Sequence, residues 1–143
     1  MQNQKLDTSF TMLKLTYGLV PIVAGVDKFS NFLVDWKQYL SPVAAHALPF
    51  SPATFMMIVG VIEIAAGLLV LGRHTRLGAY VVGAWLVGIA LNLVTTGHYL
   101  DVAVRDLVMS VGAFALARLA EARATASARD TEPAGHAGLA PAR

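Results

Sequence analysis

Four long apolar segments alternate with shorter polar links along this chain. They cover approximately residues 10–26, 53–71, 77–94 and 102–119. Each is close to the roughly 20 residues that a helix needs to cross the hydrocarbon core of a bilayer. Four such segments in succession leave almost no polar face with which a soluble helical protein could contact water. The pattern therefore predicts membrane-spanning helices.

The links between these segments predict how the helices are arranged. The links "GRHTR" and "TTGHYLD" are so short that the helices they join must lie antiparallel. In residues 29–47, between the first two segments, apolar positions repeat at helical spacing opposite a polar face, which predicts an amphipathic helix in the membrane interface. An ordinary capping loop is the alternative. The predicted fold is all-α: an integral membrane four-helix antiparallel bundle with an interfacial amphipathic helix between spans 1 and 2.

Composition agrees with a membrane protein. The 143 residues are 56% hydrophobic and 14% charged, with a mean hydropathy of +0.59, whereas soluble domains carry about 25% charged residues. Residues 1–124 are predicted to form the four-span membrane domain. Residues 125–143 are rich in alanine, proline, glycine and charge, and are predicted to be a disordered cytoplasmic tail.

The basic residues predict the orientation in the membrane. Lysine and arginine are concentrated near the two termini and in the link "GRHTR", which all lie on one side of the membrane in a four-span bundle. Basic residues are enriched on the cytoplasmic side, so both termini are predicted to be cytoplasmic. Because these residues flank the apolar segments, they are interpreted as topology signals, and no nucleic-acid partner is predicted.

The residue types present restrict the chemistry of the chain. It contains no cysteine, so it cannot itself carry out dithiol chemistry or hold an iron–sulfur cluster. Its histidines are scattered over different links and the tail, so no metal or haem is expected. No phosphate loop, nucleophile elbow or catalytic triad signature is present, and no catalytic residue is assigned.

The second apolar segment contains a carboxylate at its centre. An ionised Glu63 facing lipid at this depth would cost several kcal/mol by insertion scales, so it must face protein or water, or be protonated. Gly60 and Gly67 share its helix face and would let a neighbouring helix approach closely. Lys14 and Tyr17 of the first span are predicted as its neighbours. An interhelical tie and a titrating or ligand-binding group both remain open for this intramembrane polar site.

A second group of polar residues is predicted to meet at the outer leaflet. Helix capping and interfacial solvation would explain it, and a binding pocket is the alternative. Arg105 lies one turn inside its helix, where burial would require a carboxylate from Asp27 or Asp101. The members of this predicted cluster are Asp27, Lys28, Asn92, His98, Asp101, Arg105 and Asp106.

The order of several short motifs resembles the DoxX family of small four-helix membrane proteins. The stretches are "GLVPIVAGVDKF", "VGVIEIAAGLLVLGRHTRLGA" and "VRDLVMSVGAFALARL", and the likeness covers approximately residues 10–120. Members typically have a glycine before a lysine, an acid before a glycine, and a glycine–arginine hairpin. The matching positions here are Gly25 with Lys28, Glu63 with Gly67, and Gly72 with Arg76.

The resemblance implies a multi-pass protein of a prokaryotic cytoplasmic (inner) membrane. Because family members are linked with membrane redox complexes, the leading hypothesis is a non-catalytic accessory subunit of a redox or quinone-linked complex. Its outer polar cluster would contact a partner protein or a quinone headgroup. The alternatives are a small-molecule or proton-coupled carrier that uses Glu63, and a membrane scaffold. A homo-oligomer is also left open.

Overall fold

The computed structural model describes residues 2–131 of the chain, with side chains from residue 6 to residue 129. Five α-helices and one short 3-10 helix follow one another in this part of the chain. Their bounds are Gln2–Ser30 (α1), Trp36–Tyr39 (3-10), Pro42–Ala47 (α2), Pro52–Leu71 (α3), Thr75–Thr96 (α4) and Leu100–Thr131 (α5).

Local sequence explains where the long helices begin and end. Ser51 caps α3 by accepting a hydrogen bond from the backbone N–H of Thr54, and Pro52 occupies the first turn. At the hairpin after α3, the buried hydroxyl of Thr75 donates to the carbonyl oxygen of Val70 at 2.9 Å. Helix α4 ends at Gly97, whose left-handed backbone (φ 69°) suits glycine.

Helices α1 and α3 are packed closely through glycine. A Cβ atom placed on Gly25 would lie 2.6 Å from the carbonyl oxygen of Gly60, so the two backbones touch here. Further along, Gly67 lies against the carbonyl oxygen of Gly18. Residue numbers rise along α1 as they fall along α3, so the two helices are antiparallel.

Helices α4 and α5 form a second antiparallel pair. The ring of Phe114 covers Gly83, while Ala90 and Leu93 form a buried cluster with Ala103. The pairs α1–α3 and α4–α5 join through contacts of α3 with α4 and of α1 with α5. The larger core lies where they meet and consists of Tyr17, Ala66, Val70, Ala79, Val82, Ala113, Leu116 and Ala117.

Three helices in the described residues are long and apolar enough to cross a membrane. They are Leu6–Ser30, Pro52–Leu71 and Thr75–Thr96. The fourth predicted span lies within α5, which does not reach this apolarity because Arg105, Asp106 and Arg118 interrupt it. Large apolar side chains are exposed along every long helix, as lipid contact requires. The chain is thus an all-α membrane bundle, as the sequence predicts.

Two predicted segments differ in detail. The continuous amphipathic helix predicted for residues 29–47 is absent: α1 continues to Ser30, and the connection that follows is helical only in the 3-10 turn and in α2. Hydrogen bonds from the loop to Asp27, described below, bend the chain away from a helical path. At the other terminus α5 continues to Thr131, and the rest of the predicted tail lies outside the described residues. The division into a membrane domain and a tail stays a prediction.

Candidate functional site

A buried ion pair joins α1 to α3. The ammonium nitrogen of Lys28 lies 2.6 Å from Oε2 of Glu63, and the two side chains are only 4% and 7% exposed. The close approach of Gly25 and Gly60 brings the two helices near enough for this contact. Glu63 shares its buried face with Gly60 and Gly67, as the helical spacing predicts. Its partner, Lys28, is a member of the predicted outer cluster.

Two indole rings complete the surroundings of this pair. The ammonium of Lys28 lies 3.6 Å from the centroid of the Trp36 ring, a cation–π contact that is strengthened where water is excluded. The indole Nε1 of Trp85 donates to the other carboxylate oxygen of Glu63, Oε1, at 3.4 Å. Both oxygens of Glu63 therefore have a partner, and the ammonium of Lys28 contacts both a carboxylate and an aromatic face.

Asp27 organises the loop that carries Trp36. Its Oδ1 accepts hydrogen bonds from the Phe32 backbone N–H at 2.9 Å and the Ser30 hydroxyl at 3.0 Å, and the Leu33 N–H donates to the same carboxylate. Its Oδ2 accepts from the indole Nε1 of Trp36 at 2.7 Å. Asp27 thus ends α1 and fixes the ring that covers Lys28. This role is capping, the first of the two interpretations left open for the outer cluster.

Replacing Asp27 by alanine is expected to release the Trp36 ring from the ion pair, because the substitution removes the carboxylate that accepts the indole N–H and three further hydrogen bonds of residues 30–33. In a Trp85→Phe background, in which Trp36 is the remaining tryptophan, Asp27→Ala should shift the indole emission to longer wavelength and increase quenching by iodide. Asp101→Ala, at an exposed acid of α5, is the control and should change neither signal. Emission that stays the same in Asp27→Ala would show that the loop is held by other contacts.

Asn92 attaches the same loop to α4. Its side-chain nitrogen donates to the carbonyl oxygen of Tyr39 at 2.7 Å, and its Oδ1 accepts from the backbone N–H of Ser41 at 3.2 Å. The rings of Tyr39 and Tyr99 meet edge to face, with centroids 4.9 Å apart. The loop thus closes one end of the bundle. We call this end, formed by residues 27–51 and 92–106, the polar end.

The polar end has an exposed part as well. His98, Asp101 and Arg105 are exposed, and none of them contacts the Lys28–Glu63 pair. Burial of Arg105 would have required a carboxylate from Asp27 or Asp101, but Arg105 is exposed, and Asp27 is used by the loop. Asp106, the next residue of α5, is instead buried with 9% exposure. The predicted outer cluster is therefore divided into a buried and an exposed set.

Lys14 and Tyr17 do not contact Glu63, which corrects the predicted intramembrane site. The ammonium of Lys14 donates to the carbonyl oxygen of Gly72 at 3.1 Å, beyond the end of α3. The hydroxyl of Tyr17 donates to the carbonyl oxygen of Met109 in α5 at 2.7 Å. The glycine contacts between α1 and α3 set a register that brings Lys14 to the opposite end of the bundle. Lys28, extended along α1, is the lysine that reaches Glu63.

The sequence does not reveal the role of either tryptophan. Trp36 lies in the amphipathic segment 29–47, and Trp85 lies within the apolar segment 77–94. An indole can be recognised in a sequence as a potential hydrogen-bond donor, but its partner depends on helix rotation and loop path. No sequence signal pointed to either contact.

The architecture defines the class of the protein: a multi-pass, all-α integral membrane protein built around a buried lysine–glutamate pair. The model of the DoxX family matches residues 10–96, more than half of the chain, and the chain belongs to the DoxX family. No curated protein and no solved structure was found to match it. The family match ends with α4, so α5 and Asp106 lie outside it.

Proposed function

We propose that this protein is a non-catalytic accessory subunit of a membrane-bound redox or quinone-linked complex. The observation that supports the proposal is that the buried charges already have partners inside the protein. Glu63 is bound by Lys28 and Trp85, and Lys28 contacts Glu63 and the ring of Trp36. A carboxylate with both oxygens engaged is better suited to tie helices together than to bind and release a transported ligand. This argument favours a subunit over a carrier that works through Glu63 alone.

The exposed part of the polar end is the proposed contact with a partner protein. His98, Asp101 and Arg105 lie next to a loop that carries Asp35 and Lys37, all of them exposed. Such a mixed-charge surface can steer and orient a partner. The buried donors that a quinone headgroup would need are already engaged, since the Trp36 N–H is bonded to Asp27 and the Lys28 ammonium to Glu63. A quinone would therefore be held jointly with the partner.

The proposed location is the cytoplasmic membrane of a prokaryote, with both termini in the cytoplasm. Exposed arginines gather at the end of the bundle opposite the polar end, where Arg76 and Arg118 both contact Glu121, and Arg123 contacts Asp7. A concentration of arginine at the ends of spans is typical of the cytoplasmic side. The polar end would then face outward and meet a partner there.

Affinity purification from native membranes tests this function. The full-length protein in mild detergent is expected to retain at least one redox protein, identified by mass spectrometry. Arg105→Glu, which reverses a charge of the polar end, should lower the recovered partner at least several-fold. Arg129→Glu reverses an exposed charge near the opposite end of α5 and is the matched control. Recovery of the chain alone, with no quinone in the lipid extract, would contradict the proposal.

A further inference from the structure

Two arginines of neighbouring helices share one carboxylate at the end of the bundle opposite the polar end. Arg118 of α5 donates from Nη1 to Oε2 of Glu121 at 2.8 Å, and Nε of Arg76 in α4 lies 3.5 Å from Oε1 of the same group. The hydroxyl of Tyr80 also donates to Oε1, at 3.1 Å. Glu121 therefore holds two guanidinium groups side by side where α4 meets α5. We call Arg76 and Arg118 the arginine pair.

The arginine pair carries one positive charge that Glu121 does not balance. Within residues 6–129, no second acid forms a salt bridge with either arginine. Their side chains are 66% and 76% exposed, so the charge is accessible from outside the protein. A guanidinium group presents five N–H donors, and the hydrogen bond from Arg118 to Glu121 uses one of them. The pair thus has both charge and donors available for an external anion.

The arginine pair lies at the boundary of the membrane. The membrane-crossing helix α4 begins at Thr75, one residue before Arg76. Below the pair, the rings of Tyr80 and Phe114 meet with centroids 6.2 Å apart, each one helical turn from an arginine. Tyrosine at the end of a span is typical of headgroup depth. Phospholipid phosphates lie at this level, within reach of both guanidinium groups.

An apolar surface continues from the arginine pair towards the bilayer centre. Val111 is two turns from Arg118 on the same face of α5 and is 67% exposed. Leu77 follows Arg76 in α4 and is 55% exposed. A molecule with an anionic headgroup and an acyl chain therefore meets charge and apolar surface together. A free anion would meet the charge alone.

We propose that Arg76 and Arg118 form a binding site for the headgroup of an anionic phospholipid. A phosphodiester carries one negative charge, which matches the charge left on the arginine pair, and guanidinium groups donate well to phosphate oxygens. A zwitterionic choline headgroup adds a cation, which the arginines repel. This property goes beyond the proposed function. It requires neither a partner protein nor a particular orientation of the chain in the membrane.

Native mass spectrometry of the full-length protein in mild detergent tests the site. Phosphatidylglycerol should bind at least several-fold more tightly than phosphatidylcholine with the same acyl chains. Arg76→Gln with Arg118→Gln should abolish this preference. Arg123→Gln with Arg129→Gln is the matched control, because it removes the same formal charge from exposed arginines of the same end, and it should keep the preference.

The acid between the two arginines provides a second measurement. Glu121→Gln leaves both guanidinium charges unbalanced, so phosphatidylglycerol should bind several-fold more tightly than to the unaltered protein. If the arginines served only to join α4 to α5 through Glu121, this substitution would not change lipid binding. The direction of the change therefore separates a binding role from a structural one.

Three results would overturn the proposal. The first is equal affinity for the two lipids, and the second is an equal loss in the two double variants, which would indicate a general effect of charge. The third is displacement of phosphatidylglycerol by an equal concentration of inorganic phosphate, which would indicate an anion site that does not need a lipid. Both arginines are exposed, so their replacement should leave the fold intact, as circular dichroism can verify. If that double variant does not fold, unchanged lipid affinity in Glu121→Gln would overturn the proposal instead.

Discussion

Replacing Lys28 by methionine is expected to destabilise the protein by about 3 to 5 kcal/mol, the range measured when one partner of a buried ion pair is removed. The carboxylate of Glu63 would stay buried at membrane depth and lose its direct counter-charge, since the Trp85 N–H at 3.4 Å is its other partner. Reversible unfolding in a denaturing detergent, followed by circular dichroism, measures the loss.

A double variant distinguishes the loss of the ion pair from the cost of leaving one buried charge uncompensated. Lys28→Met with Glu63→Leu removes both charges and should recover most of the lost stability, because no charge then stays uncompensated. Lys37→Met removes an exposed lysine of the adjacent loop, whose pair with Asp35 lies in solvent, and should change stability by about 0 to 1 kcal/mol. A Lys28→Met protein as stable as Lys37→Met would show that the pair does not hold α1 to α3.

The second large effect is expected at the contact of α1 with α3. Gly60→Ala should cost about 1 to 3 kcal/mol, as overpacking of a well-packed core does. The added methyl group would lie 2.6 Å from the carbonyl oxygen of Gly25, a backbone atom that cannot rotate away. The helices would have to separate, which would also lengthen the Lys28–Glu63 contact. The unfolding measurement described for Lys28 applies here.

Gly88 provides the matched control. It lies in α4, and a Cβ atom placed there meets nothing within 4 Å. Because alanine favours a helix over glycine by up to about 1 kcal/mol, Gly88→Ala should leave stability unchanged or raise it. Equal effects at Gly60 and Gly88 would mean that the close approach of α1 to α3 does not limit stability.

These predictions connect the packing of the bundle with its charges. The glycine contacts set the distance between α1 and α3, and that distance allows Lys28 and Glu63 to meet directly. The loop held by Asp27 then places an indole ring over the lysine. The Gly25–Gly60 contact, the Lys28–Glu63 pair and the loop held by Asp27 therefore depend on one another. A change at any of the three should be detectable at the other two.

The helices and the buried face of Glu63 could be predicted because they follow from periodicity and from the cost of charge in hydrocarbon. Gly60, Glu63 and Gly67 are one or two helical turns apart, which puts them on one face whatever the neighbouring helices do. The partner of Glu63 could not be predicted in this way. The sequence favoured Lys14 as the partner and placed Lys28 in the outer cluster, and identifying Lys28 required the register of the two helices.

The division of the outer cluster into buried and exposed residues could not be predicted either, because it depends on helix rotation. Asp101, Arg105 and Asp106 are near neighbours in sequence, yet two are exposed and one is buried because they point in different directions around α5. Helix rotation depends on the side chains of α4 and α1 that pack against α5, and these contacts are distant in sequence. The sequence pattern of α5 alone therefore does not predict which of its residues are buried.

By itself, the sequence determined the membrane environment, the all-α architecture, the antiparallel order and the need for Glu63 to face protein or water, or to be protonated. These follow from local properties: the length of apolar runs, the shortness of links and the energetic cost of an unsolvated charge. Only the tertiary structure decided that Lys28 pairs with Glu63, that Trp36 and Trp85 contact this pair, and that Asp106 is buried while Asp101 and Arg105 are exposed. Each of these contacts joins residues of different elements, and the backbone packing of glycine against glycine decides which side chains meet.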